Sequence, residues 1–309
     1  MSRARIALGA GPKVSVVIPT FKHRDFICRT LESVFNQTMT DYEVIVVNDG
    51  SPDDTAAVLA PLIETKRIQY FEQANLGQSN ARNHGIQVSR GYFIALLDDD
   101  DVWPNDKLEW QTQFLEEHPD VGMVGGTLRA IDEHGSFKWE GVFTPSIDFE
   151  TLFSGNPFLS PGQTLIRADL LKRLGGMSAE IWGADDWDLW FRIAKISRIV
   201  MLNRLALYYR LHPGNASRQT ARLLSACCRT FETHLRDIPS HDRPRLRSAF
   251  ERTMYNGLGA PIVRSARHQL RRGKLITATR SISALSALWR GILFDPRIRA
   301  EFVKNVLGN

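Results

Sequence analysis

Cysteine is scarce in this sequence, and its few copies are poorly placed for cross-linking. The 309 residues contain three cysteines, Cys28, Cys227 and Cys228, and no Cys-x-x-Cys pair. Two of the three are adjacent, which argues against a disulfide framework and against a zinc site built on cysteine pairs. The simplest interpretation is a reducing compartment, so we expect a cytoplasmic protein.

Long apolar runs are also missing. No uninterrupted apolar stretch approaches about 18 residues, so we expect no transmembrane helix. The apolar piece near the start is too short for a signal sequence, and a predicted strand follows it at once. With 43% hydrophobic and 24% charged residues, the composition is typical of one large or two modest globular domains.

Excess basic charge is confined to one end of the chain. Residues 262–309 contain ten Lys or Arg and two Asp or Glu, a net +8, whereas the whole chain carries +5. This asymmetry argues against a chain-wide nucleic-acid surface, so we expect no nucleic-acid partner. The same tail mixes basic residues with Leu, Ile, Trp and Phe. That pattern fits a helical region with solvated charges, or peripheral binding to an anionic membrane surface at the inner face of the cell membrane.

Apolar runs alternate with segments of helical spacing in the first hundred residues. The predicted strands are KVSVVIPTF, YEVIVVNDGS, RIQYFEQ and GYFIALL, and the predicted helices between them are DFICRTLESVFNQ, SPDDTAAVLAPLIE and GQSNARNHGIQVS. We expect Ser51 to cap the second of these helices. Strands that are apolar on both faces and alternate with helices predict a doubly wound, mainly parallel α/β sheet, with a mixed continuation. From about residue 216 the pattern becomes helical, which predicts domains over 1–215 and 216–309.

Polar residues cluster where the predicted strands end, which is where open α/β sheets bind ligands. These residues are Thr20 with Phe21, Asn48 with Asp49, and the run from Asp98 to Asp101. Four consecutive carboxylates repel one another by about 1 kcal/mol per close pair in water. A divalent cation, Mg²⁺ or Mn²⁺, would relieve that repulsion. A solvated acidic turn is the competing interpretation of the run.

Five segments together resemble the family two glycosyltransferases, which have the GT-A fold and use nucleotide sugars. The segments are VSVVIPTF, EVIVVNDGSPDDT, NLGQSNARNHGI, YFIALLDDDDVWPNDKLE and GADDWDLWFRIAK, within residues 14–215. They occur in the order and at the separations of that family, over about two-thirds of the chain. The resemblance implies a GT-A type catalytic domain over 1–215, followed by the basic helical region.

The resemblance also implies roles for individual residues. Thr20 and Phe21 would line the nucleobase pocket, where Phe in place of the commoner Tyr keeps a stacking face and loses a hydroxyl. Asp49 would accept a hydrogen bond from the base, favouring uracil. Asp98 and Asp99 would lie near the ribose. Asp100 would bind the metal.

Further roles follow from the same resemblance. His212 stands where some relatives have a histidine near the metal, and Arg82 could face phosphate or hold the aspartates. The catalytic base is expected at Asp186, with Asp185 as the alternative. Asp101 is expected to be structural, as a cap of the helix that follows it.

The resemblance implies an inverting transfer of a sugar, with UDP the favoured nucleotide, to an acceptor hydroxyl. The acceptor would be a saccharide or a lipid-linked saccharide in cell-surface polysaccharide or glycolipid synthesis. A metal-dependent phosphatase and a non-catalytic nucleotide-sugar-binding module remain as alternatives. One of Trp182, Trp187 and Trp190 could line the acceptor pocket. The helical spacing of Trp187 and Trp190 favours the core for those two.

Overall fold

The computed structural model describes residues 11–283, 285, 288, 292 and 295–307. The remaining residues of the basic C-terminal region, for which membrane binding is one of the two interpretations, lie outside the described residues. The chain forms two compact units. The first comprises the described residues up to Ile147, Pro157–Ala179 and Arg192–His212, and the second comprises Asp148–Asn156, Glu180–Phe191 and the described residues from Pro213 onward.

The first unit is built on an eight-stranded mixed sheet. Its strands are β1 Val14–Thr20, β2 Tyr42–Asn48, β3 Gln69–Glu72, β4 Phe93–Leu96, β5 Val121–Asp132, β6 Phe137–Glu140, β7 Thr164–Arg167 and β8 Arg198–Leu211. The strand order is β3-β2-β1-β4-β7-β5-β6, with β8 paired to β5. Strands β1 to β4 are mutually parallel, β7 is antiparallel to β4 and β5, and β8 is parallel to β5. The predicted mixed, mainly parallel sheet is therefore confirmed.

Helices connect the parallel strands and make up the C-terminal region among the described residues. Their bounds are α1 Arg24–Phe35, α2 Thr55–Glu64, α3 Gln78–Val88, α4 Lys107–Glu117, α5 Ala168–Arg173, α6 Asp185–Ala194, α7 Thr220–Leu235, α8 Arg243–Met254, α9 Ala260–Arg271, α10 Leu275–Ser283 and α11 Pro296–Leu307. Helices α7 to α11 confirm the predicted helical end. Within the part of the chain that is described, no helix is both long enough and apolar enough to span a bilayer.

The predicted start of α2 is wrong. We expected Ser51 as its N-cap, but the helix begins at Thr55. The Ser51 hydroxyl instead accepts a hydrogen bond from the backbone N–H of Lys22, at 3.1 Å. A contact between loops at neighbouring strand ends therefore replaces the local capping interaction that Ser-Pro favours.

The apolar strands lie in the sheet because both of its faces are covered. Every residue of β1 is buried, as the unbroken β-branched run predicts. Helix α3 packs very closely on β1 at Gly85. A Cβ at that position would lie only 2.3 Å from Cγ1 of Val17, so only glycine allows this approach. The close packing fixes α3, which carries Arg82, against the sheet.

Candidate active site

The ends of β1, β2 and β4 bring the polar clusters of the first unit to one edge of the sheet. The Thr20 carbonyl oxygen accepts a hydrogen bond from the Asp49 N–H at 2.9 Å. The Leu97 N–H donates to the Val17 carbonyl at 3.0 Å, so the run that starts at Asp98 leaves the sheet beside β1. The parallel register therefore places all three clusters at the edge where doubly wound sheets bind ligands.

Asp99 is buried beneath the loop that follows β1. Its carboxylate accepts a hydrogen bond from the Phe21 N–H at 3.2 Å and lies 2.7 Å from Nδ1 of His23. Burial raises the pKa of the Asp99 carboxyl, and the hydrogen bond and charge of His23 oppose that rise. Burial lowers the pKa of His23, but the hydrogen bond and charge of Asp99 outweigh it and raise the value to about 9.

Asp100 meets two imidazoles. Its Oδ2 lies 2.8 Å from Nε2 of His212, and one ligand atom each from Asp100, His212 and His23 lie within 4.8 Å of one another. Two ligand atoms on one small divalent ion can be at most about 4.2 Å apart. The three side chains therefore fit a cation after an adjustment of about half an ångström. Asp100 and His212 were expected at the metal, whereas His23 was not.

Asp101 has a structural position, as expected. The expectation that it caps α4 is wrong. Helix α4 begins at Lys107, and the fully buried Asp101 carboxylate faces β8 instead. It accepts hydrogen bonds from the Arg210 N–H at 2.9 Å and from the Ser160 hydroxyl at 3.3 Å. Burial, reinforced by the charges of its neighbours, raises its pKa well above the ordinary range. Asp101 thus ties the acidic run to the strand that leads into His212.

Helix α3 reaches the acidic run through Arg82. The buried Arg82 guanidinium donates to Oδ1 of Asp98, and Nε2 of Gln78 donates to the same oxygen at 3.0 Å. The amides of Leu76 and Gly77, just before α3, donate to the carboxylate of Asp49 at 2.8 and 2.9 Å. The helix therefore contacts two of the predicted nucleotide-binding aspartates.

Most hydrogen-bond acceptor positions of the Asp49 carboxylate are occupied by donors within the protein. Besides the two amides, Oδ1 accepts a hydrogen bond from Nε2 of Gln73 at 2.9 Å. A carboxylate offers about four lone-pair positions, so these donors leave about one. That is enough for a single hydrogen bond from a nucleobase.

Asp185 and Asp186 open α6 in the second unit, and both are buried. Oδ1 of Asp186 accepts a hydrogen bond from the Trp187 N–H at 2.6 Å, and Oδ2 lies 3.3 Å from Nδ2 of Asn156. In the same turn, Asp188 lies 2.9 Å from Nε2 of His234. These contacts fix the orientation of the first turn of the helix, including the carboxylate of Asp186.

The tryptophans near α6 differ in their surroundings. Trp187 and Trp190 are almost fully buried, so their predicted place in the core is confirmed. Trp182 is half-buried, and the Arg222 guanidinium lies 3.9 Å from the centre of its ring. Of the three, Trp182 is the one that is not buried.

Sequence reasoning overlooked His23, Gln78 and Asn156. His23 carried a usable signal, because it lies three residues beyond the end of β1, at the edge where the Asp98 run was expected. The other two are ordinary polar residues of a helix and a loop. Only the fold brings them within hydrogen-bond distance of Asp98 and Asp186, respectively.

A mixed sheet covered by helices, with acidic residues at the ends of its parallel strands, belongs to the class of α/β folds that bind ligands at those strand ends. Residues 15–175 match the family described as Glycosyl transferase family 2. This match covers just over half of the chain, and the chain therefore belongs to that family.

Relatives and solved structures agree with this assignment. Chondroitin synthase from Escherichia coli is 29% identical over 207 residues, which are 67% of this chain and 30% of that protein. The first curated relatives are much longer, and the chain spans only 20–31% of their length.

Two solved structures share the fold at low identity. TarS 1-349 from S. aureus, in complex with UDP-GlcNAc, has a TM-score of 0.68 at 19% identity, covering 95% of this chain and 89% of that one. Mannosyltransferase PcManGT from Pyrobaculum calidifontis, in complex with GDP-Man and Mn²⁺, has a TM-score of 0.59 at 20% identity, covering 97% and 88%. These likenesses confirm the predicted GT-A type fold.

Proposed function

We propose that this chain moves a sugar from a nucleoside-diphosphate sugar, with UDP the favoured nucleotide, to an acceptor hydroxyl with inversion at the anomeric carbon. The observation that carries the proposal is the acidic run at the end of β4, held between Arg82 and His212 in a family 2 chain. The nucleotide sugars in the two similar solved structures support this class of donor. The chemistry is assigned to residues 1–215.

The donor nucleotide is bound by the ends of β1 and β2. Phe21 is half-buried and offers a ring face for stacking on the base beside Thr20. Asp49 uses its remaining acceptor position for one N–H of the base, which favours uracil. Asp98 and Asp99 lie near the ribose, and their contacts with Arg82 and His23 keep them in place.

Asp100 and His212 hold a divalent cation, Mg²⁺ or Mn²⁺. When bound, that ion neutralises the charge that develops on the departing diphosphate. The Mn²⁺ in the mannosyltransferase structure supports this role. Arg82 adds a fixed positive charge next to Asp98, which limits the repulsion among the aspartates.

Asp186 takes the proton from the acceptor hydroxyl as its oxygen attacks the anomeric carbon. Hydrogen bonds from Trp187 and Asn156 orient its carboxylate, and Asp185 is the alternative base. A single base without a covalent nucleophile gives one displacement, which inverts the configuration. Trp182 supplies a stacking surface for a saccharide acceptor.

The acceptor is a saccharide or a lipid-linked saccharide, and the product is part of a cell-surface polysaccharide or glycolipid. The similarity to chondroitin synthase supports polymer synthesis. No nucleic-acid partner is proposed.

Residues 270–276, which comprise the end of α9, the link that follows it and the start of α10, bind an anionic membrane surface. Leu275 and Ile276 are 65% and 72% exposed, and the exposed segment also contains Arg271, Arg272 and Lys274. Exposed apolar tips among cations are suited to the boundary between acyl chains and anionic headgroups. The enzyme therefore works at the inner face of the membrane.

Vesicle flotation tests the membrane segment. The double variant Leu275→Ser/Ile276→Ser loses flotation with phosphatidylglycerol vesicles, whereas Ile196→Ser, a change at another exposed isoleucine, leaves it unchanged. Equal flotation of wild type and the double variant would exclude this segment as the membrane contact.

A panel of nucleotide sugars, with and without Mn²⁺ or Mg²⁺, tests the reaction itself. We expect metal-dependent use of one UDP-sugar and a product of inverted anomeric configuration, read by NMR. Asp186→Asn abolishes transfer and preserves UDP binding, whereas a non-catalytic binding module would show no transfer to lose. Absence of turnover and of binding with every donor would refute the proposal.

A further inference from the structure

We propose that His23 is a third protein ligand of the divalent cation, beside Asp100 and His212, and that this set selects first-row transition-metal ions over Mg²⁺. The inference rests on the proposed function, because it assigns a further residue and an ion preference to the same site.

The three side chains form one cluster in the first unit. One ligand atom from each lies within 4.8 Å of the other two. His212 and Asp100 are 5% and 11% exposed at their side chains, and His23 is 25% exposed. The cluster is therefore shielded from solvent on the protein side and opens at His23, where a substrate oxygen or water can complete the coordination.

The ring of His23 is held in place without an ion. Its Nδ1 lies 2.7 Å from Oδ1 of Asp99, so a cation would displace the proton on Nε2, the nitrogen that does not face this carboxylate. A carboxylate on the far nitrogen is the usual way in which metal-binding histidines are oriented. The Phe26 ring packs against both imidazoles, with its centroid 6.0 Å from that of His23 and 4.8 Å from that of His212.

The donor atoms determine which ion is preferred. Mg²⁺ binds oxygen ligands and retains several waters, so an imidazole adds little to its affinity. For nitrogen and oxygen sites, affinity increases from Mn²⁺ to Co²⁺ along the Irving–Williams order. Two imidazoles and one carboxylate therefore predict affinities in the order Mg²⁺, Mn²⁺, Co²⁺, from weakest to tightest.

Titration of the whole chain with Mn²⁺ alone, followed by the EPR signal of the free ion, measures the first affinity, and competition with Mg²⁺ and Co²⁺ gives the other two. His23→Gln is expected to weaken Mn²⁺ binding at least about tenfold and to change Mg²⁺ binding much less. His134→Gln, at an exposed histidine in the turn between β5 and β6, is the matched control and changes neither.

Pulsed EPR of Mn²⁺ bound to the wild-type protein gives a readout that does not require any variant to fold. With ¹⁵N-labelled histidine, the wild-type protein is expected to show coupling to two imidazole nitrogens, and each of His23→Gln and His212→Gln to only one. Coupling to a single imidazole in the wild type, or an unchanged preference for Mn²⁺ over Mg²⁺ in His23→Gln, would overturn the inference and leave the proposed transfer intact. Metal-independent transfer by a chain that binds no Mn²⁺ would instead refute the metal in the proposed function.

Discussion

The ion pair between Arg82 and Asp98 gives the sharpest test of how the acidic run is stabilised. The two side chains are 3% and 18% exposed, and Asp98 is followed directly by three further aspartates. Removing one partner of a buried pair leaves an uncompensated charge and costs about 3–5 kcal/mol. We take about 3 kcal/mol, the low end of that range, because Asp98 retains some solvent.

That cost converts into a measurable melting shift. For a folded unit of this size, 1 kcal/mol corresponds to roughly 2–4 °C, so Arg82→Met is expected to lower Tm by about 6–12 °C. The assay is thermal unfolding followed by tryptophan fluorescence, together with UDP binding by calorimetry. Asp98→Asn alone leaves Arg82 buried without its carboxylate and is expected to lower Tm by a similar amount.

The double variant separates the pair from its parts. Arg82→Met with Asp98→Asn removes both charges, so its loss of Tm is expected to be clearly smaller than the sum of the two single losses. The exposed pair Arg198 and Asp120 is the matched control, and its two single changes should simply add. Additive losses at Arg82 and Asp98 would refute the claim that this pair stabilises the acidic run.

Three further predictions concern other buried groups. Asp101→Ala leaves the buried N–H of Arg210 without its acceptor and is expected to cost about 1–3 kcal/mol in thermal unfolding, whereas Asp101→Asn, which keeps an acceptor oxygen, should cost less. Burial holds the pKa of Lys107 well below its ordinary value, so the unfolded chain binds a proton there that the folded chain does not. The contribution of Lys107 to stability in urea should therefore rise with pH up to the ordinary lysine pKa, by at most about 1.4 kcal/mol per pH unit. Lys107→Met removes this contribution, and an unchanged pH slope would contradict the argument. Trp187→Ala should destabilise the chain by about 3–5 kcal/mol, and an equal loss in the half-buried Trp182→Ala would be evidence against the assigned core.

The sheet could be predicted because its central strands obey a simple rule. A run such as VSVVIPT has no polar face, so it is stable only where helices cover both sides. The start of α2 could not be predicted in the same way. Ser51 and Pro52 form a good local capping signal, but the Ser51 hydroxyl lies beside the loop after β1 and bonds there. The local sequence around Ser51 gives no sign of this contact between distant segments.

In the candidate site, too, some features could be predicted from the sequence and others could not. Asp98 to Asp101 were recognisable because adjacent carboxylates after a buried strand are costly without compensation. Their individual partners were not recognisable, because Asp101 meets β8 across 109 positions of sequence and Asp99 meets His23 across 76. Residue types predicted the kind of chemistry, and the strand order decided which side chains meet.

The packing of α3 constrains how the length of this chain can vary. The amides before α3 bond Asp49, and Arg82, a little over one turn into the helix, bonds Asp98. Each residue advances a helix by about 100°, so one residue inserted between Gly77 and Arg82 would turn the guanidinium away from its partner. In sequences that diverge from this one, insertions and deletions should therefore spare residues 77–82.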